Sequence, residues 1–96
     1  MEATVILVTG ANTGLGLEII KALCSSHEQY KILLGGRSYE KAKQAVADLS
    51  IAFPDTKSQF NPIQVDIEDD DSIVAAFEMV KETYGRLDVL VNNAGK

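Results

Sequence analysis

The chain has 96 residues, a length that suits one domain (1–96), and its apolar fraction of 46% is enough to build a core. Nine Lys and Arg against fourteen Asp and Glu leave a net charge of −5, which argues against a general nucleic-acid or anionic-membrane surface. Any anion site must therefore be built locally. A single cysteine, Cys24, excludes an internal disulfide, and no Cys/His cluster has metal-ligand spacing. The N-terminus lacks a basic region followed by a long apolar stretch, and no run reaches membrane-spanning length. A soluble cytoplasmic protein is expected.

In chain order, Thr4–Val8 is β-branched and apolar, too short for a helix, and predicts a strand buried on both faces. From Gly14 to about Ser25 the apolar residues Leu15, Ile19, Ala22 and Leu23 fall at helical spacing, which makes Cys24 a buried structural thiol. Lys31–Leu34 predicts a second strand closed by Gly35 and Gly36. A second helix is expected from Ser38, as N-cap, to about Ala52, with Ala42, Ala45, Val46 and Leu49 facing inward. Pro54–Pro62 reads as a polar, proline-bounded loop, and Ile63–Val65 as a third strand. The third helix begins near Asp69, carries Ile73, Phe77, Val80 and Tyr84 as one stripe, and stops at Gly85. Leu87–Val91 is the fourth strand.

Strict alternation of strand and helix predicts an α/β fold with a parallel sheet. Right-handed crossovers place strands two and three outward from strand one, with the first two helices on one face. If strand four returns to the other side of strand one, the third helix must cover the opposite face. The predicted order is 3-2-1-4, a partial Rossmann-type sheet. Ligands bind such sheets at the strand C-termini, at the point where the order reverses. Topology alone thus brings the residues after strand one and those after strand four to one crevice.

After strand one comes Gly10-x-x-x-Gly14-x-Gly16. Gly10 allows a sharp turn, Gly14 a close approach of backbone to a pyrophosphate, and Gly16 close packing of helix on strand. The helix opened by Gly14, Leu15 and Gly16 offers N–H groups and a partial positive charge, and Asn12 and Thr13 can add side-chain hydrogen bonds. In dinucleotide folds an acid about 20 residues past the glycines holds the ribose hydroxyls. Here that place is Gly36, and Arg37 follows it. A guanidinium can grip a 2′-phosphate that a carboxylate would repel, and Ser38 can contribute a hydroxyl. The same arginine also fits a surface ion pair with Glu40. The run Glu68–Asp71 fits a solvated first helical turn stabilised by the helix dipole.

The segment TGANTGLG, the Gly36-Arg37 pair, Asp66-Ile67 and Asn92-Asn93-Ala94-Gly95, in this order and spacing, resemble the N-terminal half of a short-chain dehydrogenase/reductase. The resemblance covers the whole chain, and the wording of the glycine loop is most similar to the carbonyl-reductase-like branch. It implies an NADP(H)-dependent oxidoreductase acting on carbonyl or alcohol groups, with NAD(H) the less favoured cofactor. It implies further that Asp66 accepts a bond from the adenine amino group, that the N–H of Ile67 reaches a ring nitrogen, and that Asn92, Asn93, Ala94 and Gly95 tie strand ends together and border the cofactor. Read alone, Asp66 fits equally an Asp that ends a strand and helps start a helix.

The resemblance also implies that the catalytic Ser and Tyr-x-x-x-Lys lie beyond Lys96, so no catalytic residue is expected within the chain. Tyr39 and Lys43 match the literal pattern but sit at the adenosine end of the site, and His27 reads as a solvated loop histidine. The 96 residues alone are therefore expected to be inactive. The alternative is a stand-alone, non-catalytic nucleotide-binding module. An S-adenosylmethionine-dependent methyltransferase would want an acid at position 36 or 37. Strand four, as a terminal edge with apolar Val89, Leu90 and Val91, is expected to favour self-association.

Overall fold

The computed structural model describes residues 3–9, 14–25, 28–66 and 68–92, with backbone only at 14–17 and 92. Strand and helix alternate through it: β1 Thr4–Thr9, α1 Gly14–Cys24, β2 Tyr30–Gly36, α2 Tyr39–Ala52, β3 Gln59–Gln64, α3 Asp70–Tyr84 and β4 Val89–Asn92. The strands pair in parallel in the order β3-β2-β1-β4, an order that right-handed crossovers permit.

Side chains of the two central strands alternate between two cores, which is why those strands are apolar without interruption. Ile6 and Val8 of β1 and Ile32 and Leu34 of β2 pack with Ile20 and Cys24 of α1 and Leu49 of α2. Val5, Leu7 and Leu33 point the other way, onto Ile63, Val65, Ala76 and Val80. Helices α1 and α2 thus cover one face and α3 the other. On α2, Ala42 and Leu49 are buried and Ala45 and Val46 partly so. On α3, Val80 is fully buried, with Ile73, Phe77 and Tyr84 packed around it.

Several sequence expectations are corrected. The Pro54–Pro62 segment is not all loop, because β3 begins at Gln59 and Pro62 lies inside it opposite Leu34. An edge strand leaves one row of N–H groups unpaired, so it tolerates proline and polar residues that suggest a loop. Among the described side chains of α1, Ile20 and Cys24 are buried, while Ile19 and Leu23 are half-buried and Ala22 is exposed. Gly35 and Gly36 end β2 from within rather than closing it, and β4 starts at Val89 rather than Leu87.

Local chemistry fixes the helix ends as expected. Ser38 caps α2 by accepting the Lys41 N–H at 3.3 Å, and Asp69 caps α3 by accepting the Asp71 N–H at 3.0 Å. Gly85 closes α3 in the left-handed region at φ 81°. A device absent from the sequence reading joins β4 to β1 at the strand N-termini. The Val5 N–H donates to Asp88 Oδ2 at 2.8 Å, the Asp88 N–H donates to the Val5 carbonyl at 3.0 Å, and Arg86 Nε donates to both Asp88 oxygens at 2.9 Å. The Arg86 hydrogen bond first, and then that from Val5, hold the Asp88 carboxyl below its ordinary value.

Candidate functional site at the strand C-termini

Register brings the chemistry to one edge. Thr9 lies opposite both Gly35 and Asn92, and Gly36 lies opposite Gln64. The four strands therefore finish nearly level, and the exits of β1 and β4 flank the point where the strand order reverses. Thr9 Oγ1 donates to the Val91 carbonyl at 3.4 Å, tying these two exits together.

Of the residues expected at the site, Gly10, Asn12, Thr13, Ile67, Asn93, Ala94 and Gly95 lie outside the described residues, as does His27. Gly14, Leu15 and Gly16 form the first turn of α1, and Asn92 is the last residue of β4. Arg37, Ser38 and Asp66 are described in full. They converge where β2 and β3 exit.

Arg37 follows β2, with its backbone carbonyl accepting from Gln64 Nε2 at 3.2 Å. Its side chain is 71% exposed and turns toward the β3–α3 connection. There Nε stands 3.8 Å from Asp66 Oδ1 and Nη2 stands 3.8 Å from Glu68 Oε2. The ion pairs of Arg37 among the described residues are thus with Asp66 and Glu68 and not with Glu40. Asp66 is itself held firmly: its N–H donates to Ser72 Oγ at 2.9 Å, and its Oδ1 accepts the Glu68 N–H at 3.0 Å. Gln64 and Glu68 were not legible as site residues, because their partner Arg37 lies on another segment. The acidic run 68–71 offered a signal, but a helical first turn explains three of its four residues.

The donor set fits the adenosine end of a phosphorylated dinucleotide. A guanidinium and a hydroxyl stand at the N-terminus of α2, where the helix dipole adds partial positive charge. Among the described residues, a Cβ placed on Gly36 would meet only the Ser38 carbonyl oxygen, at 3.9 Å. Asp66 supplies a fixed acceptor close by.

Other chemistry-bearing groups lie elsewhere. Lys43 Nζ stands 5.8 Å from the Tyr39 ring centroid on α2, one helical turn away, a cation–π pair rather than a proton-transfer pair. Tyr84 ends α3 near the strand N-termini under Lys31 Nζ, 5.4 Å from its ring, and burial pushes its phenol up. Burial likewise pushes the Cys24 thiol up, against the pull of a hydrogen bond with Thr56, consistent with a structural role. A groove of about 390 Å³ along α2, lined by Lys21, Lys41, Gln44, Asp48, Leu49 and Phe53 among others, lies on the helical face rather than at the strand ends. Among the described residues no group of three or more His, Cys, Asp or Glu could hold a metal ion, and no helix is long and apolar enough to cross a membrane.

Comparison with known proteins agrees with this geometry. A profile of the short chain dehydrogenase family matches residues 4–96. The chain is 49% identical over 92 residues to the short-chain dehydrogenase/reductase eupG of Phoma sp, covering 95% of this chain and 33% of that protein. It is 39% identical over 93 residues to carbonyl reductase [NADPH] 1 of Bos taurus, covering 95% and 31%. Its fold is similar to that of menthone neomenthol reductase from Mentha piperita, with a TM-score of 0.86 and 32% identity over 100% of this chain and 33% of that one. The chain thus spans about a third of the length of the curated relatives it matches.

Proposed function

Because this chain belongs to the short-chain dehydrogenase family, a family of oxidoreductases, we propose that it is the NADP(H)-binding part of an enzyme acting on carbonyl or alcohol groups. When bound, NADP(H) supplies or accepts the hydride exchanged with the substrate carbon. The observation that carries the cofactor choice is Arg37 at the β2 exit, beside a Gly36 that bears no carboxylate. Its guanidinium and the Ser38 hydroxyl would hold the 2′-phosphate, and the Asp66 carboxylate would accept from the adenine amino group. The N–H groups opening α1 at Gly14, Leu15 and Gly16 would face the pyrophosphate, with Gly10, Asn12 and Thr13 completing that loop. Ile67 would border the adenine, and Asn92, Asn93, Ala94 and Gly95 the nicotinamide half. The similarity to a bovine carbonyl reductase named for NADPH supports the same choice.

No tyrosine among the described residues stands with a lysine at the nicotinamide end. Tyr39 is at the adenosine end and Tyr84 at the opposite edge of the sheet. We therefore assign cofactor binding to these 96 residues, and none of the proton transfer to or from substrate. Pure chain should give no turnover of NADPH with ketones, aldehydes or quinones.

The binding test is a calorimetric titration with NADP⁺ and NAD⁺. NADP⁺ should bind more tightly, and Arg37→Ala should erase most of the difference. A charge-assisted contact is worth roughly 1.5–3 kcal/mol, about one to two decades in affinity. Equal affinities, or a preference unchanged in the variant, would overturn the assignment.

A further inference from the structure

We infer that Glu68 competes with the cofactor's 2′-phosphate for Arg37, and so acts as a specificity residue that holds down affinity for NADP(H) and leaves NAD(H) unaffected. This rests on the cofactor reading above. Nε and Nη2 are the two prongs of the side-on fork through which a guanidinium grips an oxyanion. In this chain both prongs already face carboxylates, Nε toward Asp66 Oδ1 and Nη2 toward Glu68 Oε2, each at 3.8 Å.

The two carboxylates differ in how they are held. Asp66 is fixed by its own backbone bond to Ser72 Oγ, and its Oδ1 also accepts the Glu68 N–H. Its position does not depend on Arg37, so it stays as an acceptor when an anion arrives. Glu68 has its backbone pinned by that same bond, while its side chain is 77% exposed and reaches out to the arginine. Glu68 is the mobile carboxylate that must leave Nη2 for a phosphate to reach that prong. Until it swings away, its charge also repels the incoming dianion.

A ribose 2′-hydroxyl carries no charge and needs no fork. NAD(H) therefore binds without displacing Glu68. The pair is exposed on both sides, so the effect is modest: exposed ion pairs contribute little, and losing the competitor should tighten NADP(H) roughly two- to fivefold. Screening by salt should shrink that ratio further.

The test is calorimetric titration of the full chain with NADP⁺ and NAD⁺ for wild type, Glu68→Gln, Arg37→Ala, the double variant, and Glu82→Gln. Glu82 undergoes the same charge change in the last turn of α3, at the opposite edge of the sheet. Thermal melts confirm that each variant folds as wild type does. Glu68→Gln should tighten NADP⁺ two- to fivefold at low salt and leave NAD⁺ unchanged, Glu82→Gln should change neither, and the gain should vanish when Arg37 is also Ala. Unaltered NADP⁺ affinity in Glu68→Gln, or a gain that survives loss of Arg37, would overturn the competition while the Arg37-dependent preference still stood. A wild type without NADP⁺ preference would instead overturn the cofactor reading, and this inference with it.

Discussion

Among the described residues, a Cβ built on Gly36 meets only the Ser38 carbonyl oxygen, at 3.9 Å, whereas one built on Gly35 lies 2.9 Å from Val65 Cγ1 and 3.2 Å from Leu7 Cδ1. Two adjacent glycines in one strand therefore carry different constraints. Gly35 is small because the α3-side core is packed against it. Gly35→Val should lower stability by about 1–3 kcal/mol through overpacking, read as a reduced denaturation midpoint in urea. No described residue makes that demand of Gly36, so among these residues an acid there is sterically allowed. Gly36→Asp should fold normally and shift affinity from NADP⁺ toward NAD⁺ by about tenfold, because its carboxylate would repel the 2′-phosphate and accept from a ribose hydroxyl. Paired titrations would measure the shift. The roles proposed for Arg37 and Ser38 could be read from sequence because both follow directly from their place after β2. The placement of Glu68 could not, since its partner is 31 residues away and the pair exists only once β2 and β3 are in register.

At the level of elements, the periodic signals were dependable where burial is deep and weak where it is not. Both central strands and the inward faces of α2 and α3 followed from apolar spacing. Edge strand β3 did not, because an exposed edge permits the Asn, Gln and Pro that normally mark loops. Helix α1 also follows from apolar spacing, but Ile19 and Ile20 are adjacent and apolarity alone does not say which of the two is the more buried. Gly85 illustrates a terminus legible in full: its φ of 81° suits glycine, and Gly85→Ala should cost about 1 kcal/mol in a thermal or urea melt. The Asp88 junction that fastens β4 to β1 escaped the sequence, being a contact across 83 positions. Its carboxyl is held below its ordinary 3.8, so its contribution is present above that pH and is lost as pH falls through the depressed folded value. Asp88→Asn should thus lower the melting midpoint near neutral pH and remove part of the stability loss seen on acidification below 3.8. An unchanged acid limb in the variant would show that other carboxylates dominate it.

For the molecule as a whole, the sheet is covered unevenly. Val89 and Leu90 are 42% and 46% exposed, and the register places them on opposite faces of β4, beside Ile6 and Leu7 respectively. We expect this apolar edge strand to recruit further copies of the chain. Sedimentation at micromolar concentration should show association that Leu90→Lys reduces, and a monomer at every concentration would refute the expectation. Hydrogen–deuterium exchange with and without NADP⁺ tests most directly whether the strand C-termini hold the dinucleotide. Exchange should slow in peptides spanning Thr9 to Gly16, Gly36 to Ser38, Asp66 to Glu68 and Asn92 to Gly95, with peptides spanning Tyr84 to Asp88 at the opposite edge unchanged. Protection confined to the opposite edge, or along the α2 groove, would contradict that placement.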